Sequence, residues 1–332
     1  MEKCANRPFV GPAGKLLDKA MRLSGVPRAA ALVTNVVNVQ PPGDKWEAHN
    51  RDQVRQGVLE LHELLGAAPR RLIVTLGEQA FWAVVKRDPW YKPNEGEGSV
   101  TERRGYVYAS EYGPVLCMIH PAFVVRAWVP NWALLCWDWQ KAARLLAGGA
   151  DTTVRRERYV ATVEEAERYE AEAAGAALLA VDTETDGEHA ERVACVAFAT
   201  SAEEGVCFPL TEWTRPYVAR LLASPVPKVL QNAQFDLTVL EGRERLPVAN
   251  VAFDTMFEWH AAEPLLAGKQ EGKAGKRTEK SLRFLASLLT DEPWFKNYQF
   301  KDQVERWTLC ATDARITFQC HQALQVRYAT LA

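Results

Sequence analysis

Apolar positions in the first part of the chain change period repeatedly. Leu16, Leu17, Ala20 and Met21 recur at helical spacing, and residues 30–37 then form a β-branched apolar run of the kind a buried strand needs. The alternation continues with a helix over 48–65, a strand over 71–76, a helix over 78–86, strands over 106–109 and 115–119, and a helix over 131–146. Strands alternating with helices predict a parallel α/β sheet covered on both faces.

The second part has another rhythm. Apolar runs at 176–181, 193–200 and 205–210 are separated only by turns, which predicts a meander. Helices over 215–222 and 234–241 bracket a short strand at 228–230, and further helices are expected over 281–289 and 309–324. The Glu/Ala-rich run 164–174 reads as a helix with a solvated face. This is a mixed α/β pattern. Between the parts, an aromatic-rich segment gives way at Ala147 to Gly-Gly-Ala-Asp-Thr-Thr, so domains are expected over 1–149 and 150–332.

Composition narrows the class. With 332 residues, 48% hydrophobic and 25% charged, the chain can bury two cores. No run approaches the roughly 20 apolar residues of a membrane span, and the first residues lack a leader's layout, so no membrane partner and a cytoplasmic location are expected. Seven scattered cysteines without a C-x-x-C encode neither a disulfide framework nor a zinc motif, and read as small buried hydrophobes. Lys+Arg against Asp+Glu is 19 to 14 over residues 1–150 and 21 to 28 over 151–332. A nucleic-acid role for the acidic half requires that some carboxylates hold cations.

Candidate acids exist. Asp182 and Glu184 follow an apolar strand at a spacing of two, hence on one face, where their repulsion would be offset by bound cations. Asp236 stands in the first turn of a helix after a short strand, in Leu230-Gln-Asn-Ala-Gln-Phe-Asp. Asp313 lies among small residues at the start of the last helix, and Asp254 is a further acid between apolar neighbours. Each signal has a bland alternative in a turn or a cap.

The ordered set resembles the DEDD exonuclease superfamily, specifically the proofreading domains of family A DNA polymerases and their ribonuclease D relatives, over about 159–324. The resemblance implies a ribonuclease H-like mixed-sheet domain in which Asp182, Glu184, Asp236 and Asp313 are both catalytic and metal-binding, with two Mg²⁺ or Mn²⁺ ions. Asp182 would bridge the ions, Glu184 and Asp313 would hold the one that carries the attacking water, and Asp236 would support the other. Asn232 and Phe235 would fix the terminal nucleotide, or else cap and pack their helix. The basic run Lys269, Lys273, Lys276, Arg277 would grip phosphates or serve as a solvated connector. Where the family carries a Tyr four residues before the last acid, or a His five before it, this chain has Leu309 and Thr308, which implies slow catalysis or a substitute such as Tyr298.

In the first part, Arg7-Pro-Phe-Val-Gly-Pro-Ala-Gly-Lys-Leu-Leu-Asp18, Thr34-Asn-Val-Val-Asn-Val-Gln-Pro-Pro-Gly-Asp44, Val74-Thr-Leu-Gly77 and Ile119-His-Pro-Ala-Phe-Val-Val-Arg126 occur in order. Together they resemble the family 4 uracil-DNA glycosylases over about 2–147. The resemblance implies a parallel-sheet domain whose first strand is missing and a base pocket of Phe9, Asn35 and His120. The family's first strand and its Gly-Glu-Ala-Pro-Gly loop, which positions the hydrolytic water, would precede Met1. Two of its cluster cysteines would also precede Met1, Val39 stands at the third position, and 50–65 contains none. No iron–sulfur cluster and little uracil excision are therefore expected. The implied function is a 3′-5′ exonuclease on DNA, on single-stranded ends, in replication, repair or proofreading, with DNA and a separate polymerase as partners. An RNA-directed exonuclease and a non-catalytic DNA-binding scaffold are the alternatives.

Overall fold

The computed structural model describes residues 8–92, 98–126, 128–148, 154–187, 189–264, 266, 280–293 and 300–331. The chain forms two compact units: Met1–Asp151 with Asp291–Asn297, and Thr152–Thr290 with Tyr298–Ala332. Among the described residues no helix is long and apolar enough to cross a membrane.

The first unit opens with α1 (Pro12–Leu23), which has proline in its first turn and buries Leu17, Ala20 and Met21 on one stripe. Helix α2 (Arg51–Gly66) is capped by Asn50, whose side chain accepts the N–H groups of Asp52 and Gln53. Strand β1 (Ile73–Leu76), α3 (Glu78–Lys86), α4 (Val100–Arg103), β2 (Val107–Tyr108), β3 (Val115–Met118), α5 (Pro121–Arg126) and α6 (Trp128–Gly148) complete it. Its sheet runs β1-β3-β2. The expected parallel pairing is that of β1 with β3, and β2 joins antiparallel.

The strand expected over 30–37 is not formed. This stretch is a single 3₁₀ turn, Arg28–Ala30, followed by irregular chain. β-branched composition favours extended backbone, but a strand also needs a partner for its N–H and C=O groups. Among the described residues no ladder receives this segment.

The second unit is a six-stranded sheet in the order β4-β7-β6-β5-β8-β9. Strands β5 (Leu179–Asp186), β6 (Arg192–Ala199) and β7 (Glu204–Pro209) form the expected antiparallel meander, while β4 (Arg156–Tyr159), β8 (Lys228–Leu230) and β9 (Val251–Asp254) pair parallel with their neighbours. Helices α7 (Val163–Ala174) and α8 (Arg215–Ala223), together with α9 (Ala233–Leu237) and the π-helical turn Thr238–Arg243 that continues it, pack with the large apolar side chains of one sheet face, among them Leu179, Val181, Val196, Phe198, Val206 and Phe208. A Thr162/Glu165 capping box starts α7.

The opposite face is lined by small residues, Ala180, Cys195, Ala197, Ala199 and Cys207, and receives the 29-residue helix α12 (Gln303–Leu331) through Cys310, Ala311 and Ala314. The approach is close enough that a Cβ on Gly205 would lie 2.0 Å from the carbonyl oxygen of Ala311. Helices α10 (Thr255–Ala262) and α11 (Leu282–Leu289) flank α12.

Candidate metal centre

Alternation along β5 sends Val181 and Thr183 to the large-residue face and Asp182 and Glu184 to the small-residue face beneath α12. The strand does not end at these acids, as their sequence suggests, but runs through them to Asp186, with an irregularity in its pairing between Glu184 and Thr185. Asp313 is not at the start of the last helix either: α12 begins at Gln303, and Asp313 lies almost three turns in. Because the interface is built from alanine, cysteine and glycine, that turn sits low enough for Asp313 to reach the strand. Oxygens of Asp182, Glu184 and Asp313 all lie within 4.8 Å of one another, and the three residues are half-buried.

Three carboxylates so close are costly. Burial, then the charges of Asp313, Asp236 and Glu184, push Asp182 well above the ordinary carboxylate range. Burial and the charge of Asp313 lift Glu184 to about 8, against a lowering influence from Arg306. Burial raises Asp313 to about 7, opposed by Arg283 and Arg315. The Oδ1 atom of Asp313 is buried and has no hydrogen-bond partner among the described residues. An orphaned anionic oxygen beside two further carboxylates is satisfied by a hard divalent cation, so the donor set fits Mg²⁺ or Mn²⁺.

Asp236 is not one of this trio. It enters from α9, is buried, and its Oδ1 accepts the Thr183 hydroxyl at 2.5 Å. Burial raises it to about 7, with the Thr183 hydrogen bond pulling the other way. Asp254 has a different task. Its carboxylate accepts the N–H groups of Asn232 at 3.1 Å, Ala233 at 2.8 Å and Met256 at 2.8 Å, so it caps α10 and fastens the start of α9. Asn232 adopts φ 61°, in the left-handed region that asparagine tolerates, and its side chain caps nothing. It is exposed, as is Phe235 at 43%, so neither packs the helix core.

Arg306 secures the end of β5. It donates to Asp186 Oδ1 at 2.6 Å and to the carbonyl of Thr185 at 2.7 Å, flanking Glu184 on its C-terminal side. Sequence reading missed this residue, although it lies seven positions before Asp313 on one helix face. The positions that carry Tyr or His in the resembled family offer no proton here: Leu309 is apolar, and the Thr308 hydroxyl is spent on the carbonyl of Val304 at 2.8 Å. Lys269, Lys273, Lys276, Arg277 and Tyr298 lie outside the described residues.

In the first unit, Phe9 and His120 are ring neighbours, with centroids 5.6 Å apart and an interplanar angle of 32°. Phe9 has φ 59°, and Gly14 is required beside it because a Cβ there would collide with the Phe9 carbonyl. Gly77, at φ 89°, has His120 against its back, a Cβ there falling 3.0 Å from the His120 Cβ. The Ala122 N–H donates to His120 Nδ1 at 3.1 Å, which leaves the ring proton of the neutral form on Nε2. Asn35 lies in the irregular segment after Ala30 and is half-buried.

Comparison with known proteins now bears on both units. A family model for 3′-5′ exonucleases matches residues 158–331. The chain belongs to the 3′-5′ exonuclease family. A second model, for the uracil DNA glycosylase superfamily, matches residues 2–146, so the exonuclease domain is joined to a uracil-DNA-glycosylase-like one. The type-4 uracil-DNA glycosylase of Pyrobaculum aerophilum is 40% identical over 73 residues, 22% of this chain and 36% of that protein. That of Sulfurisphaera tokodaii is 29% identical over 118 residues, 35% of this chain and 50% of that protein. The chain thus spans half or less of the length of these relatives. Among solved structures, the exonuclease domain of Nibbler from Aedes aegypti is 13% identical with a TM-score of 0.40, covering 55% of this chain and 93% of that one. The POL domain of Pol1 from M. smegmatis, in complex with DNA primer-template and dNTP, is 19% identical with a TM-score of 0.39, covering 52% and 28%. The exonuclease domain has the ribonuclease H-like mixed sheet.

Proposed function

We propose that residues 150–332 form a metal-dependent 3′-5′ exonuclease domain acting on DNA, with single-stranded 3′ ends as substrate and a role in replication, repair or proofreading. The observation that carries this reading is the convergence of Asp182, Glu184 and Asp313 around a buried oxygen of Asp313 that has no hydrogen-bond partner among the described residues. These three acids would hold the cations, with Asp236 contributing from the Thr183 side. Two Mg²⁺ or Mn²⁺ ions held there would supply the positive charge that phosphodiester hydrolysis needs at the attacking water and the leaving oxygen.

The chain's own residues bind and orient. The exposed ring of Phe235 and the exposed Asn232 stand on the α9 turn that also carries Asp236, where they can stack on and hydrogen-bond to a terminal nucleotide. Arg306 keeps the β5 end, and with it Glu184, in register. Leu309 and Thr308 are unable to move a proton, so turnover either lacks the roughly 10²- to 10⁴-fold that acid–base assistance contributes or draws it from a substitute such as Tyr298. The first domain, over residues 1–149, is read as a DNA-binding module that presents Phe9, Asn35 and His120 to an unstacked base. Uracil excision is not expected of it, since Val39 stands where the resembled family has a cluster cysteine.

The test is degradation of end-labelled single-stranded DNA and RNA by the full chain with Mg²⁺, Mn²⁺ or chelator, with Asp182→Ala as control. Metal-dependent shortening of DNA from the 3′ end, lost in the variant, is expected. If wild type degrades neither polymer, the catalytic reading fails and the scaffold reading that Leu309 favours takes its place. Preference for RNA would overturn the choice of substrate.

A further inference from the structure

Directly behind the carboxylates lies a second convergence. The sulfur atoms of Cys195 on β6, Cys207 on β7 and Cys310 on α12 are all within 4.8 Å of one another, and all three residues are buried. They are free thiols. Cys310 Sγ is 3.6 Å from the carbonyl oxygen of Asp182 and 3.7 Å from its Oδ2. Close packing alone does not account for sulfur here. Where α12 and the sheet need only small side chains, the interface uses Ala180, Ala197, Ala199, Ala311 and Ala314, with Gly205 at the tightest point. Sulfur occupies the positions that meet at one spot beside a carboxylate.

We propose that Cys195, Cys207 and Cys310, with Asp182 Oδ2 as the fourth donor, form a binding site for a thiophilic divalent cation, Zn²⁺ in the cell. Soft thiolates select Zn²⁺ or Cd²⁺ and are poor ligands for Mg²⁺, so this site and the carboxylate trio discriminate by donor chemistry. A tetrahedral ion with Zn–S of about 2.3 Å and Zn–O of about 2.0–2.2 Å requires sulfur–sulfur edges of about 3.8 Å and sulfur–oxygen edges of about 3.5 Å. The 3.7 Å between Cys310 Sγ and Asp182 Oδ2 is close to the second, while the sulfurs, within 4.8 Å of one another, must close by up to about 1 Å to reach the first, and Asp182 must turn toward Cys195 and Cys207 as the ion binds. Each ligating thiol releases its proton to solvent. No sequence motif announces the site because its ligands come from three elements, separated by 12 and then 103 positions (207 − 195 and 310 − 207). Both donor sets use Asp182, so an ion on the sulfurs draws that carboxylate away from the hard-metal trio and inhibits hydrolysis. That consequence rests on the exonuclease reading above, whereas the site itself does not.

The experiment is a Cd²⁺ titration of the reduced, metal-free full chain, followed by ultraviolet sulfur-to-cadmium charge-transfer absorption. A band saturating at one ion per chain and reversed by Zn²⁺ is expected. Cys195→Ala/Cys207→Ala should lose it at unchanged far-ultraviolet circular dichroism, and Cys136→Ala, outside the cluster, should keep it. If the double variant does not fold, Cys207→Ser serves instead, with affinity weakened by roughly tenfold or more. Glu184→Ala, which removes a carboxylate that the thiol site does not use, keeps the band while losing hydrolysis, so failure of the exonuclease reading leaves the thiol site measurable. A folded wild type without the band, or a band undiminished in the folded cysteine variants, overturns the proposal.

Discussion

The hydroxyl of Thr183 donates to Oδ1 of Asp236 at 2.5 Å, from the face of β5 opposite the one that carries Asp182 and Glu184. The fourth acid is therefore tied to the trio through the strand itself. Thr183→Val keeps the side-chain shape but removes the donor from a buried carboxyl. Equilibrium denaturation should show a loss of about 1–3 kcal/mol, and the Mg²⁺ concentration for half-maximal hydrolysis should rise. Unchanged stability and metal requirement would mean that the hydrogen bond holds nothing in place.

Asp313→Asn exchanges a buried acid for an amide of equal size next to Asp182 and Glu184. In chelator this variant should melt at a higher temperature than wild type, because like-charge repulsion is relieved. The increase in melting temperature on adding Mg²⁺ should shrink, and hydrolysis should fall by about 10²-fold or more. A lower metal-free melting temperature would show that repulsion among these acids is not what the fold tolerates.

The metal-free protein should lose stability as pH rises. Glu184 stands at about 8, and Asp236 and Asp313 at about 7, each above its ordinary value. The native state then binds more protons than the unfolded chain from about pH 4 upward, so the contribution is greatest in acid and is lost as pH passes through 7 to 8. Thermal melts in chelator should fall across that window. With Mg²⁺ present the fall should be reduced, since the cation favours the ionised acids. A flat profile in chelator would contradict the raised carboxyls.

Gly205→Ala tests the packing that delivers Asp313. Its methyl group would lie 2.0 Å from the Ala311 carbonyl oxygen, so α12 must rise off the sheet. A cost of about 1–3 kcal/mol is expected, along with weaker Mg²⁺ binding, although no ligand is altered. Calorimetric metal titration of the folded variant checks this. Wild-type affinity would mean that Asp313 reaches the trio independently of the helix seat.

Much of this was legible in the chain. The acids of β5 announced themselves by their spacing after an apolar run, and the meander by its evenly separated strands. Other features depend on the assembled fold. Asp254 stands in the sequence only as a further acid between apolar neighbours, yet it serves three backbone N–H groups, two of them more than twenty residues away in sequence. Strand β4 escaped notice because Arg156–Tyr159 is charged. Among the described residues it is an edge strand, paired only with β7 and joined to it by Arg158 and Glu204. The first residues of α12, Gln303–Glu305, are exposed and the buried Arg306 is charged, so the periodicity that marks a buried helix begins only near Leu309. The thiol cluster is invisible to any spacing rule.

Helix α12 is anchored along its length, by Arg306 to Asp186, by Arg315 to Glu157 and by His321 to Glu258. Between the first two anchors it carries Cys310 and Asp313. An α-helix turns by about 100° per residue, so inserting or deleting a single residue between Arg306 and Asp313 would swing one anchor and one acid to different sides of the rod. Substitutions in this span can be graded in effect, whereas a change in its length cannot. The count of residues between Arg306 and Asp313 is therefore as much a part of the centre's chemistry as the carboxylates are.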